Sequence, residues 1–111
     1  MMVNIKILGH VWTITERTET EDKRLEGVDG YCDWTTRTIV IEREIEGNLE
    51  EMEIYVRKVK RHEIIHAFLE ECGLSECSHD TEMWARNEEM VDWMARLGPA
   101  IYEAWKSAGA V

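Results

Sequence analysis

His62-Glu63-Ile64-Ile65-His66 is the stretch whose residue types and spacing suit a defined chemistry. On a helix, residues four apart lie one above the other, so both imidazoles can reach one ion. Zinc accepts neutral imidazole nitrogen, and a catalytic zinc keeps three protein ligands and one position for water. Glu63 stands about 100° round the helix from His62, beside that water rather than on the metal. A carboxylate there can act as general base toward a metal-activated water and produce a nucleophile at neutral pH. In a chain with 4 histidines the pattern arises by chance on the order of two times in a hundred. The plainer alternative is a pair of half-buried histidines held by local hydrogen bonds, with Glu63 as a solvated charge.

The elements that must position these residues follow from periodicity. Tyr55, Val59, His62, His66 and Leu69 recur at steps of four, three, four and three, one continuous helix face. Both histidines lie on that inward stripe, which weighs against the plainer alternative. Asn48 with Glu51 three residues on predicts the helix start by a capping box, and Gly73 predicts its end. A second helix is predicted from Asp80-Thr81 to Gly98-Pro99, with Met83, Met90, Met94 and Leu97 on one face. Pro99 then opens a short third helix through Ile101, Tyr102 and Trp105. Before the helices, Val3–Ile7 and His10–Thr15 alternate around Gly9 and predict a hairpin. The polar stretch 16–30 reads as a loop or poorly ordered excursion. Tyr31–Trp34, a turn at Thr35-Thr36-Arg37 and the β-branched Thr38–Ile41 complete the sheet. The expected fold is α+β in one domain over 1–111: a short antiparallel N-terminal sheet of three or four strands, two long helices and a short C-terminal helix.

A third ligand must come from outside the motif. The second helix offers Glu82, Glu88, Glu89 and Asp92, and the loop before it His79 and Asp80. With the apolar face centred near Met94, Asp92 points away, while Glu88 and Glu89 flank the face on opposite sides. Helical geometry alone does not choose between those two.

His62-Glu63-Ile64-Ile65-His66-Ala67-Phe68, with Asn87-Glu88-Glu89-Met90-Val91-Asp92-Trp93-Met94-Ala95 downstream, resembles the compact zincin-like metallopeptidases of phages and mobile elements, the ImmA/IrrE-like group. The resemblance covers residues 31 to 97. It implies a short sheet before the metal-binding helix, a further helix supplying the third ligand, one zinc ion, and hydrolysis of a peptide bond in a protein or peptide substrate. Setting Trp93-Met94-Ala95 against that group's aromatic-small-small run puts Glu89 at the ligand position and Glu88 one residue early. Met90-Val91 replaces the usual Ala-Asn pair after the ligand, so the order of preference is Glu89, then Glu88. It also implies a phage-encoded protein working in a host cytoplasm.

Composition bounds the rest. At 111 residues, 44% hydrophobic and 32% charged, the chain is long enough for one core. Its net charge of −10 repels phosphate backbones and anionic lipid, so neither nucleic acid nor membrane is an expected partner. No apolar run approaches the ~20 residues of a membrane span, and the N-terminal residues lack a secretory pattern. Three cysteines, Cys32, Cys72 and Cys77, leave one unpaired in any disulfide scheme, which favours a reducing cytoplasm. A soft zinc site from those cysteines and His79 is a lesser expectation. Of 5 tryptophans, Trp34 is a candidate for lining a groove, and Thr38–Ile41 for the sheet edge that receives an extended peptide. Arg57, Lys58, Lys60 and Arg61 neutralise acidic neighbours, or one of them, or Tyr31 or Tyr102, stabilises an oxyanion. Two functions result: a zinc metallopeptidase with Glu63 as base, or a non-catalytic zinc-binding acidic adaptor or inhibitor of a host protein.

Overall fold

The computed structural model describes residues 2–78 and 84–111, with Cys77 described in its backbone alone. The expectations placed on His79, Asp80, Thr81, Glu82 and Met83 lie outside the described residues. The order is β1 (Met2–Ile7), β2 (His10–Arg17), β3 (Gly30–Asp33), β4 (Thr38–Glu42), α1 (Met52–Glu71), α2 (Leu74–Cys77) and α3 (Glu88–Ser107). The class is α+β, a sheet followed by helices of which two are long.

The hairpin at Gly9 is present. Leu8 and Gly9 both take positive φ, 49° and 85°, the pattern of a tight two-residue turn whose twist matches the strands. The sheet is not antiparallel throughout, however. Its order is β1-β2-β4-β3, and β2 pairs β4 in parallel, from Thr13 opposite Thr38 to Arg17 opposite Glu42. The cause is the continuous apolar run Ile39-Val40-Ile41, buried on both faces, which belongs in the middle of a sheet rather than at its rim. β4 is therefore internal, and β3 is the edge strand on the side of the helices' chemistry.

Residues 18–29 form an organised crossing rather than a disordered excursion. Thr18 and Glu21 bond reciprocally, Asp22 caps a 3-10 turn at Lys23–Leu25 by accepting from the Arg24 amide, and Leu25 is fully buried.

The main core packs Ile7, Trp12, Ile14, Ile39 and Ile41 of the sheet against Val59 and Ala67 of α1. Trp12 also donates its indole N–H to Glu71 at 2.8 Å, and Arg37 pairs with the same carboxylate, fixing the end of α1 to the sheet. Helix α1 starts at Met52 rather than after Asn48: Glu51 is the cap residue and makes no side-chain capping bond. Gly73, at φ 84°, ends α1 as expected, in the left-handed conformation that glycine adopts without strain.

The break at Pro99 does not occur. Helix α3 runs through it as one element of 20 residues. Proline has no N–H, so the Ala95 carbonyl loses its helical donor. Arg61 Nε of α1 donates to that carbonyl instead, at 2.6 Å, and the helix continues. The predicted short third helix is thus the second half of α3.

Candidate metal centre

The start of α3 determines which acidic residue meets the histidines. Asn87 caps the helix, its side chain accepting from the Met90 amide at 2.8 Å. The side chains of α3 that become buried are Val91 and Ala95, not the larger Met94, so α3 lies against α1 on its small residues. Measured from the midpoint of that pair, Glu88 falls about 40° away, Asp92 about 80° and Glu89 about 140°. The structure accordingly brings Glu88 to the histidines, and Glu89 is exposed outside the group. Asp92, expected to point away, is also at the site. The expectation failed because the face was centred on the bulky Met94, which is 39% exposed.

His62 Nε2 lies 2.9 Å from Glu88 Oε2, His66 Nε2 lies 3.0 Å from Glu88 Oε1, and the two Nε2 atoms are 3.2 Å apart. Ligand atoms on a tetrahedral zinc sit roughly 3.4 Å from one another, given bonds of about 2.1 Å. Two imidazole nitrogens and a carboxylate at this spacing are a donor set that fits zinc. Among the described residues, this is the group of histidine, cysteine and acidic side chains whose ligand atoms converge within 4.8 Å.

The other ring nitrogen of His62 is held as well. Nδ1 is 3.1 Å from Asp92 Oδ1, so an N–H there donates to the carboxylate and leaves Nε2 free to bind. Asp92 is fixed in turn by Lys58 at 3.0 Å and Arg96 at 2.9 Å. Those bonds, with that from His62, hold its carboxyl well below the usual carboxylate range. Burial lowers the proton affinity of His66, against the opposing charge of Glu88, which favours the neutral, ligating form.

Glu63 is 7% exposed and has no hydrogen-bond partner among the described residues. Burial pushes its carboxyl from the ordinary 4.5 up to about 7; His62 restrains that rise and Glu88 adds to it. The packing is close because β3 enters at Gly30. A Cβ there would stand 2.9 Å from the Val40 carbonyl oxygen and 3.3 Å from Glu63 Cγ. Glu63 opens onto two cavities, one of about 220 Å³ with Lys58, His62 and Asp92, the other of about 460 Å³ with Tyr31, Cys32 and His66. A larger hollow of about 830 Å³ is lined by Glu19, Glu26, Glu42, Glu44 and Glu46, without an imidazole. The converging donor set lies beside the two smaller cavities, not beside this one.

The remaining expectations sort by position. Lys58 lines the smaller cavity and Tyr31 the larger. Arg57 pairs with Glu53 on the surface, Arg61 is spent on Ala95, and Tyr102 is exposed on α3. Trp34 stands exposed at the β3–β4 turn. Cys32 and Cys72 are free thiols, and burial pushes the Cys32 thiol up to about 12, which leaves it protonated at neutral pH. Asn87, followed by two acidic residues, was the readable helix-start signal that the sequence analysis missed. Among the described residues no helix is long and apolar enough to cross a membrane. The chain matches no known protein family, no curated protein and no solved structure.

Proposed function

We propose that the protein is a zinc-dependent peptidase in which His62, His66 and Glu88 hold the metal and Glu63 is the general base. The observation that carries this reading is the Glu63 carboxyl: the residue is 7% exposed, makes no hydrogen bond among the described residues, and opens onto the two cavities beside a converging His-His-Glu set. Zinc, when bound, polarises a substrate carbonyl and acidifies water. Glu63 accepts the proton of the attacking water and returns it to the leaving amine; a proton affinity near neutrality suits both transfers. Asp92 holds the His62 ring, and Lys58 is the cation positioned to meet negative charge in the smaller cavity. The outer edge of β3, beginning at Gly30, is the strand that receives an extended peptide beside Glu63. That role passes to β3 from Thr38–Ile41, which lies inside the sheet. A non-catalytic zinc adaptor would use the same three ligands but assigns no task to a carboxyl opening onto the cavities beside them. The free thiols support work in a reducing cytoplasm.

The test combines metal analysis with Glu63→Gln. Purified protein is expected to hold about one zinc per chain, and the substitution to keep the zinc while abolishing cleavage of a quenched-fluorescent peptide library. Full activity in the variant, or zinc with all four positions filled by protein, refutes the peptidase.

A further inference from the structure

Beyond the metal centre, the strongest unexplained feature is an apolar stripe on the outside of α3. Past Ala95 the helix has no fully buried side chain. Met90, Met94, Leu97, Ile101 and Trp105 nevertheless follow at helical steps on one side. Trp93 and Tyr102 flank them. Trp93 and Trp105 are each 54% exposed, Tyr102 51% and Leu97 40%. Large apolar surfaces of this kind mark contact sites rather than ordinary exterior. A helical stretch with little tertiary packing is also marginal in water, so this one, half-buried only at Gly98 and Ile101, gains from being covered.

We propose that the stripe closes a two-fold homodimer, α3 against the antiparallel α3 of a second copy. Area is the first argument. Aromatic side chains bury about 150–250 Å² each, so the exposed parts of Trp93, Tyr102 and Trp105, with Met94 and Leu97, offer on the order of 450 Å². At the apolar share of homodimer interfaces, about 65%, that corresponds to roughly 700 Å² per copy, close to the ~800 Å² of a standard stable interface.

Charge is the second argument. Residues 93–111 contain Arg96, Glu103 and Lys106, a net +1, so the other 92 residues carry −11 of the chain's −10. From Trp93 onward, past Glu88, Glu89 and Asp92, the stripe thus lies on a segment free of the acidic excess, where two copies can meet without the repulsion that opposes contact elsewhere. All three charged residues fall about 140–160° from the stripe's centre, outside the seam.

Self-complementarity is the third. Antiparallel pairing about Pro99 sets Met90 opposite Ala108, Met94 opposite Ala104, Trp93 opposite Trp105 and Leu97 opposite Ile101. Each methionine meets an alanine, Leu97 meets Ile101 at the centre, and the two exposed tryptophans meet each other. A two-fold interface requires that kind of match of a surface with itself, and it favours a second copy over an unrelated partner.

Sedimentation velocity on the full chain up to about 100 µM tests this, because an interface of this size corresponds to micromolar or tighter dimerisation. Leu97→Glu and Trp105→Glu are each expected to weaken dimerisation at least tenfold while far-UV circular dichroism is unchanged. Glu103→Lys, on the opposite face, leaves the dimer intact. A wild-type monomer across that range, whether the stripe serves another protein or none, overturns the proposal. So does a dimer that survives both glutamate substitutions, or assembly that grows past two copies.

Discussion

Glu63→Gln tests the electrostatics of the centre independently of any substrate. In the metal-free protein Glu63 is largely buried and makes no hydrogen bond among the described residues, and burial pushes its carboxyl from 4.5 up to about 7. The native state therefore keeps a proton that the unfolded chain releases. Between those two pH values the folded protein binds more protons than the unfolded one, so stability falls as pH rises. At about 1.4 kcal/mol per pH unit, the cost is complete above pH 7 and amounts to about 3 kcal/mol. Glutamine preserves the shape and removes the charge. In the presence of chelator, the variant is expected to be more stable than the wild type by about 3 kcal/mol at pH 8, and by almost nothing near pH 4.5. Urea unfolding at the two pH values measures the gap, and a melting temperature higher by on the order of 10 °C at pH 8 should accompany it. Saturating zinc narrows the gap, because a cation beside Glu63 favours its ionised form. A variant no more stable than wild type at pH 8, or a gap independent of pH, refutes the reasoning.

Three further perturbations probe the supports of the site. Asp92→Asn removes the anion that accepts from His62 Nδ1 and should weaken zinc binding by about 10- to 100-fold in competition with a chromophoric chelator; unchanged affinity would show that the ring needs no such anchor. Gly30→Ala drives a Cβ to 2.9 Å from the Val40 carbonyl oxygen, which should cost about 1–3 kcal/mol in urea unfolding, and a neutral result would mean that β3 yields freely. Arg61→Ala strands the Ala95 carbonyl because Pro99 cannot donate to it; the expected loss is about 1–3 kcal/mol, and it should shrink in a Pro99→Ala background, where the helical bond is restored. Additive losses in that cycle would dissociate Arg61 from the proline.

What the sequence made legible was local and periodic. Four-residue spacing placed His62 and His66 on one face of α1, and the alternation around Gly9 specified the β1–β2 hairpin. The parallel pairing of β2 with β4 had no such signature. It depends on where an apolar run finds burial on both faces, which is decided by the whole sheet. Pro99 misled because a breaker is read from its own chemistry, whereas its effect depended on Arg61, 38 positions earlier in the chain, supplying the missing donor. The Asn48 cap failed because capping residues tolerate several starts: α1 begins at Met52, with Glu51 as cap residue and no side-chain capping bond.

The acidic residue at the centre is selected less by its own properties than by two small ones. Glu88 and Glu89 are chemically identical neighbours in the first turn of α3, where either is favoured by the helix dipole. What separates them is the rotation of the helix, and that rotation is set by Val91 and Ala95. Small side chains let α3 approach α1 closely enough for the side chains of Glu88 and Asp92 to reach His62 from two sides. Had the bulky stripe of Met94, Leu97 and Trp105 been the face turned inward, Glu88 would stand about 130° from the contact and Asp92 would leave His62 altogether. The outward position of that stripe and the convergence of His62, His66 and Glu88 are therefore one event. Packing on the small residues builds the site, and the large residues are left on the surface, where a second copy can cover them.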